Sequence, residues 1–216
     1  MIIFCACLRH WIDNKTLVQQ LKKKMERDTT IVALCGKRST GKDTLAVILT
    51  DLLMESGKRI GIESLARHFK KIFAERNNLD FQRLVEDRAY KEQHRKQMNS
   101  AFALFHAAEP ELCCQEAIRS ASAKQVDILI ITDVRLKSDL RWLQAACPRV
   151  ISVHLTASDQ VKASFGWIYD AEVDRHWTEV DLDDQPTSIF SIHLDNVGTM
   201  AQLICDAKEI VKTVLN

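Results

Sequence analysis

Hydrophobic and polar residues follow two alternating patterns from residue 30 onward. Short apolar runs of the kind that form buried strands are separated by longer stretches with the 3.6-residue spacing of amphipathic helices. Residues 126–131 are the clearest strand, because they are nearly all apolar and β-branched. Further strands are predicted at residues 31–35, 59–64, 150–155 and 189–194. Helices are predicted at residues 44–55, 65–75, 81–86, 90–107, 110–121, 138–146 and 200–215.

This order of elements predicts an α/β fold. Strands that are apolar on both faces belong to a mostly parallel sheet, which helices must cover on both sides. We therefore expect a single domain over residues 30–216, with about five strands. Residues 1–29 stand apart as an N-terminal extension. Leu17, Leu21 and Met25 lie four residues apart in it, which predicts a short amphipathic helix without a catalytic role.

The composition is that of an ordinary globular protein. The chain has 216 residues, of which 46% are hydrophobic and 27% charged. Thirty basic and 29 acidic residues leave a net charge of +1, which argues against nucleic acid as the partner. The apolar run at residues 1–8 is too short to span a membrane. Seven cysteines without a C-x-x-C pair favour reduced thiols, so we expect a cytoplasmic protein. We also expect a monomer that binds no membrane.

Charge is unevenly distributed along this nearly neutral chain. Residues 58–96 contain eleven basic and six acidic side chains, whereas residues 159–195 contain two and nine. The basic stretch favours an anionic ligand. Residues 170–184 hold seven acids and only Arg175 as a cation, which is typical of a solvated or mobile loop.

A candidate phosphate loop follows the first strand of the domain. Residues 36–42 fit the pattern G-x-x-x-x-G-K between a buried strand and an amphipathic helix. Gly36 and Gly41 allow the backbone N–H groups to converge on phosphate oxygens, and Lys42 would reach the β- and γ-phosphates. Asp43 stands where Ser or Thr is usual, and a carboxylate beside phosphates needs a cation between them. The alternative is a glycine-rich turn that binds nothing.

Asp133 follows the strongest predicted strand. An acid at the carboxyl end of a buried strand is where phosphate-loop folds hold a second magnesium contact, and where open α/β sheets bind ligands. The alternative is a carboxylate that caps a helix or a turn. Arg135 would point into the same crevice.

A basic pair lies on the helix predicted at residues 90–107. Lys91 and Arg95 are four residues apart and therefore share a helix face. Such a face suits an anionic substrate. It equally suits an exposed helix surface on which the cations pair with Glu86 and Glu92.

These segments together resemble the animal-type phosphomevalonate kinases. The resemblance begins at the phosphate loop, with aspartate after the lysine, and covers about residues 31–200. The further matching segments keep the family's order and nearly its spacing. They are Leu79-Asp80-Phe81-Gln82-Arg83-Leu84, Tyr90-Lys91-Glu92 with Arg95, Lys96 and Met98, Thr132-Asp133-Val134-Arg135 with Ser138 and Asp139, Gly166-Trp167, and Asn196 with Gly198.

The resemblance implies a nucleoside-monophosphate-kinase-like fold and a reaction. It implies phosphorylation of 5-phosphomevalonate to 5-diphosphomevalonate in isoprenoid synthesis, with ATP and Mg²⁺ as cofactors. Substrate-binding helices would lie at about residues 65–121 and a lid at about residues 157–185. Two alternatives stay open. One is a kinase of this fold that acts on a nucleoside or deoxynucleoside monophosphate, and the other is a diverged, non-catalytic nucleotide-binding protein.

The resemblance also implies roles for individual residues. Nucleotide binding falls to Gly36, Lys37, Arg38, Ser39, Thr40, Gly41, Lys42, Asp43, Thr44, Lys162 and Asn196. Substrate binding falls to Arg38, Lys91, Arg95, Arg135 and Trp167. Catalysis falls to Lys37, Lys42, Asp133 and Arg135, and magnesium binding to Asp43 and Asp133.

The chain departs from the family at positions that are arginine there. Leu136 stands at the second of the two arginine positions that follow the strand aspartate, and Phe165 stands before Gly-Trp in the lid. A further arginine position of the family falls at about Ile151, two residues from Arg149. A charge-assisted hydrogen bond contributes about 1.5–3 kcal/mol, so the loss of two or three could slow the reaction by about 10³-fold. Arg149 and Arg175 are the candidates for compensation.

Overall fold

The computed structural model describes residues 29–216, so the helix predicted around Leu17 lies outside the described residues. A five-stranded sheet forms the centre, in the order β2-β3-β1-β4-β5, and every neighbouring pair is parallel. The predicted parallel α/β fold is thereby confirmed. The strands are β1 (Thr30–Cys35), β2 (Ile60–Glu63), β3 (Ile128–Val134), β4 (Arg149–Ala157) and β5 (Ile192–Asn196).

Helices connect and cover these strands. The long ones are α1 (Lys42–Met54), α2 (Ala66–Asn77), α4 (Arg88–Ala108), α5 (Leu112–Lys124), α6 (Lys137–Ala146) and α10 (Met200–Leu215). The short ones are α3 (Phe81–Glu86), α7 (Asp159–Ser164), α8 (Ala171–Asp174) and α9 (Trp177–Val180). No helix within residues 29–216 has the length and apolar character that a membrane crossing requires.

Each face of the sheet has its own hydrophobic core, because successive side chains of a strand point to opposite sides. Val32 and Leu34 of β1 pack on one side in a cluster that includes helices α1 and α10. Ile31 and Ala33 pack on the other side in a cluster that includes α2, α5 and α6. The expected coverage of both faces is confirmed.

Local capping explains where two elements differ from the predicted boundaries. Helix α4 begins at Arg88, because the Asp87 carboxylate accepts a hydrogen bond from the backbone N–H of Tyr90. The last strand begins at Ile192, later than predicted, because Thr187–Ile189 forms a 3₁₀ turn.

The cysteines at the centre of the fold are unreactive. Cys35, Cys113 and Cys114 are buried. Burial raises the pKa of Cys35 and of Cys113 to about 12, so both thiols stay protonated at neutral pH. Burial agrees with the prediction of structural thiols, and their reduced state stays a prediction.

Candidate active site

The phosphate loop joins β1 to α1 through a turn that only glycine accommodates. Gly36 has φ = +131°, and a Cβ there would lie 2.3 Å from the carbonyl oxygen of Leu155. Within residues 29–216, no side chain caps the N-terminus of α1. The first N–H groups of this helix are therefore free to bind an anion, as the motif predicts.

Asn196, at the end of β5, supports the loop from the side. Its Nδ2 donates to the carbonyl of Thr40 at 2.9 Å, and its Oδ1 accepts from the backbone N–H of Gly198 at 2.9 Å. A Cβ on Gly41 would lie 2.6 Å from Asn196 Nδ2, so glycine is required where the two meet. Asn196 thus shapes the loop, and its role as a nucleotide ligand stays a prediction.

Lys42 is a buried cation without a carboxylate partner. Its Nζ donates to the backbone carbonyl of Lys37 and lies 3.4 Å from Oγ1 of Thr40. Burial, together with the nearby Arg135, lowers the pKa of Lys42 to about 7. Among the described residues no acid lies within ion-pair distance of this amine. A phosphate would therefore restore the charge partner that Lys42 lacks.

Asp133 caps a helix across the sheet. Its Oδ1 accepts from the backbone N–H of Leu65 at 2.6 Å, and its Oδ2 accepts from the hydroxyl of Ser64 at 2.7 Å and from the N–H of Ala66 at 3.2 Å. These contacts are the ones expected from the alternative in which Asp133 caps a helix. The catalytic and magnesium roles of Asp133 stay predictions. Asp43, by contrast, is exposed and faces a cavity.

Two cavities meet beside the phosphate loop. The larger, about 550 Å³, is lined by the loop, by Asp43 and Thr44, and by the residues that follow β5. The smaller, about 150 Å³, has an apolar wall. That wall includes Phe69, Met98, Phe102 and Leu136. Both cavities are lined by Lys91, Arg95, Asp133 and Arg135. The predicted site residues from the loop, β3 and α4 are therefore brought together.

Lys70 also lines the smaller cavity, and the sequence reasoning missed it. Burial lowers the pKa of Lys70, and burial with the neighbouring cations lowers the pKa of Lys91 to about 8. Lys70 lies three and four residues before Phe73 and Ala74, both buried. A lysine at helical spacing from such apolar residues was the available signal.

The acidic segment, residues 170–184, packs onto the phosphate loop, so the prediction of a solvated or mobile loop is wrong. Both Asp174 oxygens accept from the Arg38 guanidinium, each at 2.7 Å, and Asp183 pairs with Lys37 at 2.6 Å. The physical reason is charge complementarity, because the basic loop attracts the most acidic part of the chain. Arg38 and Lys37, predicted as phosphate ligands, are thus already paired with carboxylates.

Glu179 and Asp181 extend the same contact toward β3. The Glu179 carboxylate, in a residue that is 7% exposed, accepts from the backbone N–H of Arg38 at 2.9 Å and forms an ion pair with Arg135. Asp181 accepts from the backbone N–H of Lys137 at 2.8 Å, at the start of α6. The acidic segment therefore touches both the phosphate loop and the crevice after β3.

Two predicted ligands from the lid lie in a cluster of side chains. Trp167 is buried, and its Nε1 donates to Asp174 at 3.1 Å. The Lys162 amine lies 4.0 Å from the Trp167 ring centroid and 2.6 Å from Asp159. These contacts tie the lid to the acidic segment, and the ligand roles of Lys162 and Trp167 stay predictions.

The two proposed compensating arginines do not reach the cavities. Arg149 begins β4 and donates to the carbonyl of Thr213 at 2.7 Å, at the opposite end of the sheet from the phosphate loop. Arg175 is exposed and lines neither cavity. Arg88 is better placed, because it lines the larger cavity and donates to the backbone carbonyls of Phe165 and Gly166 at 3.3 and 2.8 Å.

The sequence model of the phosphomevalonate kinase family matches residues 34–149. This chain belongs to that family. A phosphomevalonate kinase of Drosophila melanogaster is 32% identical over 157 residues, which make up 71% of this chain and 82% of that protein. The matched region contains the phosphate loop, helices α1 to α6 and β3, whereas α9, which also lines the smaller cavity, lies outside it.

Solved structures similar to this member of the phosphomevalonate kinase family include a shikimate kinase and a sugar kinase. Shikimate kinase from Acinetobacter baumannii has a TM-score of 0.46 and 12% identity, covering 90% of this chain and 97% of its own. A sugar kinase from Janibacter has a TM-score of 0.45 and 16% identity, covering 87% and 94%.

Proposed function

We propose that the protein transfers the γ-phosphoryl group of ATP to 5-phosphomevalonate, giving 5-diphosphomevalonate and ADP, as a cytoplasmic monomer. Family membership supports the substrate. The observation that carries the proposal is the pair of adjoining cavities, which share Lys91, Arg95, Asp133 and Arg135 as lining residues. A nucleotide on the phosphate loop and a phosphorylated acceptor in the smaller cavity would meet at these side chains.

The smaller cavity suits a short-chain acceptor with charged ends. Its lining includes Lys70 and Lys91, neither of which has a carboxylate within ion-pair distance among the described residues. Its apolar wall, which includes Phe69 and Met98, would contact the hydrocarbon part of 5-phosphomevalonate. Because 5-phosphomevalonate has no nucleobase, its binding does not require an aromatic side chain on which a base could stack.

The chemistry needs no general base. The acceptor phosphate is already a nucleophile near neutral pH, so catalysis reduces to alignment and charge neutralisation. Lys91 and Arg95 would orient the acceptor phosphate, and Lys42 would stabilise charge on the transferred group. Arg135, which lines both cavities, would contact the phosphates where they approach each other.

Asp43 fits the role of magnesium ligand in this proposal. It lines the larger cavity beside the phosphate loop, and no cation pairs with it in the described part of the chain. A single carboxylate suits Mg²⁺, which is usually bound by one or two carboxylates together with substrate phosphates and water. When bound, it would supply neutralisation of phosphate charge.

The test is ADP formation with 5-phosphomevalonate against a panel of nucleoside monophosphates, with the Lys42→Ala variant as control. We expect turnover with 5-phosphomevalonate alone, abolished in the variant. Turnover with a nucleotide but not with 5-phosphomevalonate would contradict the proposal. Binding of ATP without turnover on any acceptor would instead indicate a non-catalytic protein.

A further inference from the structure

The Glu179 carboxylate lies between the phosphate loop and Arg135, and it was not predicted from the sequence as a binding residue. Its side chain is 4% exposed, and it lines the smaller cavity. Burial of a carboxylate is unfavourable unless its oxygens are paired. Both are paired here, because Oε2 accepts from the Arg38 backbone N–H at 2.9 Å and Oε1 forms an ion pair with Arg135.

These two partners belong to different halves of the site. Arg38 is part of the phosphate loop, whereas Arg135 follows β3 and lines both cavities. Glu179 comes from α9, 141 residues after Arg38 in the chain. A single side chain therefore connects the loop that would hold ATP to the arginine where the two phosphates would meet.

Arg135 needs such a partner because its surroundings are unfavourable for a cation. Burial lowers the pKa of Arg135, and the nearby Arg95 and Arg38 act in the same direction. Asp133 opposes them, but its oxygens also accept three hydrogen bonds at the start of α2. Repulsion among the three arginines would turn the Arg135 guanidinium away from the junction without the Glu179 carboxylate.

We propose that Glu179 is a positioning residue for phosphoryl transfer. Its carboxylate fixes the Arg135 guanidinium and the backbone amide of Arg38 relative to each other, where the two cavities meet. The inference rests on the proposed function. Glu179 touches no substrate in this role, and its negative charge serves to fix a guanidinium rather than to bind a ligand.

The first test compares matched glutamine variants of the acidic segment. Glu179→Gln keeps an oxygen that can accept from Arg38 but removes the charge facing Arg135. Glu172→Gln is the control, because Glu172 pairs with Lys96 at the surface, with side chains 69% and 64% exposed. We expect kcat to fall at least about tenfold in Glu179→Gln, the loss expected for one charged contact, with the KM for ATP little changed. We expect no change in Glu172→Gln.

A double variant separates positioning from general destabilisation. If Glu179 acts through Arg135, Glu179→Gln should have little further effect on kcat in an Arg135→Gln background. Independent, multiplying losses in the double variant would overturn the proposal. A rise of kcat in Glu179→Gln would also overturn it, because the carboxylate would then be a competitor of the phosphates.

Hydrogen–deuterium exchange tests the geometry without turnover. Glu179→Ala should speed exchange in the phosphate-loop peptide and leave the α5 peptide unchanged, whichever acceptor the enzyme uses. Unchanged exchange in the loop would overturn the positioning role of Glu179. Faster exchange in a protein that does not phosphorylate 5-phosphomevalonate would contradict the proposed function but support the positioning role.

Discussion

Five lysine and arginine side chains of the phosphate loop and the cavity walls fall into two groups. Lys37 and Arg38 of the phosphate loop are paired with Asp183 and Asp174 of the acidic segment. The second group, Lys42, Lys70 and Lys91, has no carboxylate within ion-pair distance among the described residues, and burial lowers the pKa of each.

This difference separates two tasks. A cation that is already neutralised keeps a fixed shape, and a phosphate would gain little by displacing its carboxylate partner. A buried cation without a partner is unstable by itself and gains most when an anion arrives. We therefore infer that the first group holds the loop in place and that the second group gains most from binding substrate phosphates. Arg95 and Arg135 form a separate case, because each is paired with an acid but lines both cavities, where it can contact the phosphates.

The largest expected effect distinguishes the two lysines of the phosphate loop. We expect Lys42→Met to lower kcat by about 10³-fold, because a preorganised contact to the transferred group is removed. Lys37→Met should lower it by less than about tenfold, since Lys37 is half exposed and already paired. Steady-state ADP formation measures kcat for both variants. Equal losses of kcat would contradict the division into cations that hold the loop and cations that bind the substrates.

The next effect concerns the acceptor. Lys70→Met should raise the KM for 5-phosphomevalonate by about 10- to 100-fold, the range of one charge-assisted hydrogen bond. The KM for ATP should change little. Lys71→Met is the matched control, because the neighbouring Lys71 is exposed. If both variants behave alike, Lys70 does not contact the acceptor.

Binding of a phosphate should also take up protons. The pKa of Lys42 is about 7 and that of Lys91 about 8 in the free protein. Each amine binds an anion only when protonated, so affinity should fall above pH 7–8, by up to about tenfold per pH unit for each lysine. Calorimetry at pH 8.5, in buffers of different ionisation enthalpy, measures the uptake by Lys42 when ADP binds and the uptake by Lys91 when 5-phosphomevalonate binds. Binding that is constant from pH 7 to 9.5 would argue against free amines in the site.

The smallest effect is expected on stability. Asp183→Asn removes the surface pair with Lys37, whose side chains are 48% and 40% exposed. We expect the free energy of unfolding to fall by less than about 1 kcal/mol. Urea denaturation measures it, and a loss of several kcal/mol would show that this pair supports the fold rather than the local shape of the loop.

Contacts between neighbouring residues could be predicted from the sequence, and contacts between distant ones could not. The phosphate loop is a local pattern, so its glycines and Lys42 were found directly. The cap formed by Asp133 joins residues 67 to 69 positions apart, and nothing in either segment indicates the other.

The prediction for the acidic segment was wrong for the same reason. Its composition is that of a solvated loop, and its partners Lys37 and Arg38 lie 136 to 146 residues earlier. The prediction that Arg149 compensates was wrong because Arg149 is the first residue of β4 and lies at the opposite end of the sheet from the phosphate loop. Which charged residues lie close together depends on the order of the strands in the sheet, and that order cannot be derived from the local sequence patterns.

The bond from Asn196 to Thr40 has a consequence for folding. It spans 156 residues, and it joins the loop after the first strand to the last strand. The loop can take its binding shape only after β5 has joined the edge of the sheet. We therefore expect nucleotide to bind late in folding, and fragments that end before residue 196 to lack affinity for it, even though they contain the whole glycine-rich motif.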